Sequence, residues 1–240
     1  MPARRMPDFE SVLASSDILI VGGPEPIDKT LTALQSGLHV SAYAPMTYSS
    51  RSLLRAAHVS KRQKRLLHLF DPMLYRPAFR TIRGHLRPSE VSELSARTST
   101  PEPASTATEI LRRNLGLIHR IVVLGGPVDT IEGTSFDGTT FAAHLRFQKG
   151  AKASIALSVG PEQSLLEVQS SLSWVLEGPH LYCGSSMTTL TDNRSPEELA
   201  VLEIRQIAAG RARQTLTVEA HYHTLSLLEK LATGVPGALR

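Results

Sequence analysis

Tyr43, His68, Asp71 and His119 are side chains able to give or take a proton in a reacting complex, so they are the candidates for general acid–base work. Tyr43 stands in the stretch SAYAP, where the Ala44–Pro45 bond is open to the cis form and could turn a phenol toward a ligand; packing competes as its role. His221 and His223, in HYH, invite a metal reading. On a helix, positions i and i+2 point about 200° apart, so the two rings cannot share an ion without a bend, and no metal site is expected. The sequence holds no GxSxG elbow, Walker loop or HExxH. Cys183 is the only cysteine, which excludes a disulfide framework or thiolate cluster and fits a reducing compartment.

The 240 residues, 41% of them apolar, suffice for one large or two small packed domains. The net charge of +4 comes from charges of both signs spread along the chain. The one basic run, KRQKR at 61–65, has no interleaved aromatics and reads as a solvated helix end, with a phosphate-binding patch as the alternative. No stretch approaches the roughly 18 apolar residues of a membrane helix, and the start is wrong for a secretory signal. The expectation is a cytoplasmic protein that binds neither nucleic acid nor membrane.

These side chains need elements to hold them. DILIV (17–21), LHVSAY (38–43) and RLLHLF (65–70) are short apolar runs with strand character. Helical patterns separate them: 27–36, stopped by Gly37, then 49–63 with serines suited to an N-cap, then 72–86. Alternation at this pitch predicts a partial doubly wound, Rossmann-like parallel sheet over residues 1–87. The pattern then changes. TSTPEPASTAT reads as a loop, EILRRNLGLIHRIVVLG as one helix, and four to six closely spaced strands follow between 128 and 190. Two helices near 195–209 and 214–232 close residues 88–240 as an α+β domain with an open-faced, mainly antiparallel sheet.

This layout resembles the Gfo/Idh/MocA oxidoreductases. ALQSGLHVSAYAPMT (33–47) is similar to that family's AL-x-x-G-K-H-V-x-x-E-K-P-L, matching at Ala33, Leu34, Gly37, His39, Val40 and Pro45. YRPAF (75–79) is similar to RFxPA, and GPVDTIEGT with FAAHLRFQKGAKASIAL to the strands after the family's active-site helix. EGPHLYC is similar to a strand start of the thiazolinyl imide reductase branch. The resemblance implies an NAD(P) cofactor and places Gly22, Gly23 and Pro45 on its pocket. It also implies a GxGxxG unit ahead of DILIV holding the dinucleotide pyrophosphate; the expectation is a truncated relative without that unit. The family's lysine falls on Ala44 and its glutamate on Tyr43. Its D-x-x-x-H pair falls on Arg112 and Gly116, or on His119 if the alignment moves by three.

The reading that follows is a degenerate homologue, a pseudoenzyme serving as a non-catalytic subunit or binding protein. Two alternatives stand beside it: an NAD(P)-dependent oxidoreductase completed by a partner chain or by missing N-terminal sequence, and a nicotinamide-independent enzyme reusing the pocket. A homodimer or hetero-oligomer is expected through the antiparallel sheet face and the exposed edge of the parallel sheet.

Overall fold

The computed structural model describes residues 9–22, 26–44, 47, 49–192 and 194–234. By packing, the chain falls into two compact units, Met1–Asp71 with Glu198–Val218 and Pro72–Glu197 with Glu219–Arg240. This division differs from the change of sequence pattern at 87. Residues 72–85 pack with the second unit, and the chain returns to the first near its end.

The first unit starts with α1 (Phe9–Ser15) and runs through β1 (Ile18–Val21), α2 (Ile27–Gln35), β2 (His39–Tyr43), α3 (Ser50–Arg62) and β3 (Leu67–Phe70). The strands form a parallel sheet of order β1-β2-β3, with Ile20 beside Ser41 and Ser41 beside His68. Period-2 alternation sends Leu19, Val21, Val40, Ala42, Leu67 and Leu69 to one fully buried face. Each such leucine contributes about 1.5–3 kcal/mol by leaving water. Two successive right-handed crossovers place α2 and α3 on the same side of the sheet. Gly37 ends α2 at φ +83, a conformation that a side chain resists. Ser49 begins α3 by accepting the Ser52 N–H at 3.2 Å.

On the other side lies α7 (Pro196–Ala208), most of which belongs to this unit. The extended segment after it makes one antiparallel bridge, Leu216 to Leu69, and Gln214 Nε2 donates to the Leu67 carbonyl at 2.9 Å. The free edge of β3 is thereby covered. β1 pairs only with β2 among the described residues, and Ile20 is 49% exposed.

The second unit opens with a 3-10 turn at Pro72–Tyr75, then α4 (Pro77–His85), β4 (Glu93–Thr100), α5 (Ala107–Arg113) and α6 (Leu115–Gly125). Seven strands follow: β5 (Val128–Phe136), β6 (Thr140–Phe147), β7 (Lys152–Val159), β8 (Gln163–Gln169), β9 (Ser173–Glu177), β10 (His180–Cys183) and β11 (Ser186–Thr189). The last helix is α8 (Val218–Thr233). The sheet order is β11-β10-β9-β8-β4-β7-β6-β5, antiparallel except where β4 lies parallel to β7. Ala143, Ile155, Ala96, Leu166 and Leu176 form one row of the covered face. The opposite face mixes small, polar and aliphatic side chains, with Ala142, Ala156, Ser154, Ser95, Glu167, Leu165 and Val175 half-buried.

Three expectations are corrected here. Thr98–Thr100, read as loop from their Ser/Thr/Pro setting, continue β4, because pairing with β7 and β8 supplies their backbone bonds. The single helix over 109–125 is two, broken at Asn114, whose amide donates to the Ile110 carbonyl at 2.8 Å and competes with the backbone. Seven strands stand where four to six were expected, since Gly178 at φ +56 folds SWVLEGPHLYC into a hairpin. At the end of α6, a Cβ on Gly125 would come 2.7 Å from the buried Phe147 ring, so the helix packs on β6 only with glycine there.

Candidate functional site

In a parallel α/β sheet, ligands gather beyond the carboxyl ends of the strands. Gly22 follows β1, Tyr43 ends β2 with Ala44 next, and Asp71 follows β3, so three of the sequence candidates share that edge of the first unit. Gly23, Pro45 and the Ala44–Pro45 bond lie outside the described residues.

Tyr43 is half-buried, its ring edge-on to Phe70 with centroids 4.7 Å apart. A Cβ built on Gly22 would sit 3.7 Å from that ring. Tyr43 therefore lies over Gly22. The Ala44 N–H donates to the Phe70 carbonyl at 2.8 Å, which ties the end of β2 to β3. Asp71 is buried. A dinucleotide needs an open glycine cradle and donors for its phosphates. The described strand ends present a tyrosine ring over Gly22 and a methyl at Ala44, so they do not fit that group.

His68 is fully buried at mid-strand of β3, on the face turned to α7. Its Nδ1 shares a hydrogen bond with Ser41 Oγ at 2.7 Å. Its Nε2 lies 3.6 Å from Glu203 Oε1, too far for a hydrogen bond. Glu203 accepts the Thr215 N–H and, at 2.7 Å, the Thr215 hydroxyl. Serine, histidine and glutamate in a chain carry the chemical types of a nucleophile, base and orienting acid. Ser41 is only 2% exposed, however, and no substrate carbonyl can reach it. The arrangement can fasten α7 and the returning segment to β3, and that is what the geometry provides.

His119 lies in the second unit on α6, also fully buried. Its Nε2 is 2.6 Å from Nδ1 of His221 on α8, so one ring donates and the other accepts. His221 Nε2 has no hydrogen-bond partner among the described residues. Burial, with the His119 ring beside it, holds His221 well below the usual imidazole value, so His221 stays neutral. His223 points the other way, 3.7 Å from Glu219. Trp174 is in the core, tilted against His85 with centroids 5.5 Å apart.

Sequence reasoning missed the partners: Ser41, Glu203 and Thr215 around His68, and His221 against His119. Only His221 left a local signal. It keeps helical spacing with the buried Thr224, Leu225 and Leu228, which marks it as facing inward.

No protein-family model matches the sequence, and no curated protein matches it by sequence. Solved structures do match the fold. The UDP-N-acetylglucosamine 3-dehydrogenase of Acidithiobacillus ferrooxidans superposes with a TM-score of 0.84 at 14% identity, over 99% of this chain and 84% of that one. The fold is that of the Gfo/Idh/MocA-type oxidoreductases. A dehydrogenase from Clostridium difficile matches with a TM-score of 0.76 at 13% identity, over 95% of this chain and 82% of that one. The biliverdin reductase of Synechocystis sp. PCC 6803, solved with biliverdin and NADP+, gives 0.73 at 17%, over 96% and 83%. At such identities the likeness is one of fold.

Proposed function

We propose that this chain is a non-catalytic relative of the Gfo/Idh/MocA-type oxidoreductases, acting as a subunit or binding protein. The observation that carries the reading is the state of His119. A general acid or base must reach the proton it moves, and this imidazole is fully buried with its Nε2 engaged by His221. Ala44, where the resemblance puts the nicotinamide-contacting lysine, supports the same conclusion: a methyl neither donates nor holds charge. We place the protein in the cytoplasm on its lone cysteine, with a protein rather than nucleic acid as partner. Its outer sheet face, small around Ala142, Ser154 and Ala156, is suited to close pairing.

The test is titration of the purified chain with NADH and NADPH, followed by nicotinamide fluorescence and calorimetry. No binding up to millimolar cofactor, from a folded sample, is the expected result. Micromolar binding by the chain alone overturns the proposal.

A second reading is favoured by the β1 edge, unpaired among the described residues and exposing Ile20. Such an edge accepts another strand. On this reading a partner chain adds a nucleotide-binding strand, and cofactor binding emerges only in the mixture.

A further inference from the structure

Helix α3 and the turn that ends it concentrate one sign of charge. Residues 51–65 hold six of the chain's 26 basic residues, Arg51, Arg55, Lys61, Arg62, Lys64 and Arg65, and none of its 22 acidic ones. That leaves 20 basic against 22 acidic elsewhere, so outside this segment the chain is net negative. Charges of both signs are spread along the chain, but the net positive balance resides in this one segment.

All six side chains are exposed, and among the described residues none is in an ion pair. Some arginines elsewhere are paired. Arg113 is paired with Glu109, Arg146 with Glu132, and Arg80 and Arg194 with Asp192. Along 51–65 the like charges have no acidic partner among the described residues, and an acidic partner would lower their mutual repulsion.

Leu54 stands within this charge, 49% exposed. Arg51 and the exposed His58 are its neighbours one turn before and after. An isolated exposed leucine is ordinary; an apolar centre inside an arginine-rich rim is the anatomy of a protein contact. The inner face of α3, with Leu53, Ala56 and Val59, is committed to the core. The helix therefore has no apolar face to lay into a lipid surface. Its exposed face has no aromatic side chain on which a base could stack.

We infer that the outer face of α3 docks an acidic protein segment, one presenting aspartate or glutamate around a single apolar side chain that covers Leu54. The inference rests on the reading of this chain as a binding subunit and names the chemistry of its partner.

The test uses the full chain and fluorescence anisotropy at about 0.15 M salt. Four probes are compared: a labelled glutamate-rich helical peptide with leucines on one face, the same peptide with serine for leucine, a DNA duplex of about 20 base pairs, and phosphatidylserine vesicles. The leucine peptide should bind tightest. Leu54→Ser should weaken it about threefold to tenfold, and the pair Arg55→Gln with Arg62→Gln tenfold or more. These substitutions are on the exposed face and should leave the circular dichroism unchanged. Tighter binding of the duplex or vesicles, no loss with Leu54→Ser, or no binding of any probe overturns the inference. So does a dimer that the arginine substitutions dissociate, which would make a second copy the occupant. Peptide binding alongside micromolar NADPH binding would sink the non-catalytic reading and leave this surface standing.

Discussion

His68 in the first unit and His221 in the second are both fully buried, but they are held in opposite ways. Around His68, Ser41 occupies one ring nitrogen and Glu203 stands toward the other, itself anchored by two groups of Thr215. His221 has only the neighbouring imidazole of His119, and its Nε2 is left over. A buried network with its partners supplied rigidifies the fold, whereas a partly satisfied one makes the fold sensitive to proton binding. The first unit thus uses a histidine as a fastener, and the second carries one as a liability.

The largest expected effect comes from removing the fastener. His68→Leu keeps the volume roughly constant but takes the ring nitrogen away from the buried Ser41 hydroxyl, while Glu203 keeps its two bonds from Thr215. The expected loss is about 2–4 kcal/mol in urea unfolding followed by far-ultraviolet circular dichroism. A loss under about 1 kcal/mol would show that the network is ornamental and would erase the contrast with His221.

The second effect is a pH dependence. The folded state holds His221 well below the ordinary imidazole value, so folded protein binds fewer protons there than unfolded chain. Its stability is therefore fully present above the unfolded value near 6.5 and falls as pH drops below it. The slope contributed by one such group approaches about 1.4 kcal/mol per pH unit. Comparing wild type with His221→Leu between about pH 7 and 5 isolates the contribution of the His119–His221 pair, because groups that His221 does not touch are common to both proteins. Parallel curves would mean that His221 takes its proton without strain.

The same contrast governs how much the sequence revealed. The parallel strands were legible because DILIV, HVSAY and LHLF carry their burial as local apolar runs. β6 and β7 were legible for a similar reason, as the alternation in FAAHLRF and KASIALSV matches one covered face. Thr98–Thr100 were not, because their strand state comes from neighbours on both sides and not from their own polarity. His68 read as a candidate base on its type alone. What decides its role is Glu203, 135 positions away in sequence, and no local spacing announces such a partner. Ala44, by contrast, could be judged directly from the aligned stretch SAYAP, since a missing side chain needs no geometry to be missing.

The smallest effect asks whether Glu203 works through its charge or through its oxygens. At 3.6 Å the carboxylate makes no hydrogen bond to His68, and its short contacts are the N–H and hydroxyl of Thr215. Glu203→Gln retains one acceptor for the Thr215 N–H, and its amide can donate to the hydroxyl oxygen, which turns to accept. The expected cost is below about 1 kcal/mol. Glu203→Ala removes both contacts and should cost more, about 1–3 kcal/mol, as Thr215 loses its tie to α7. If instead the glutamine and alanine variants are equally destabilised, the carboxylate charge opposite His68 is what holds α7 on the sheet.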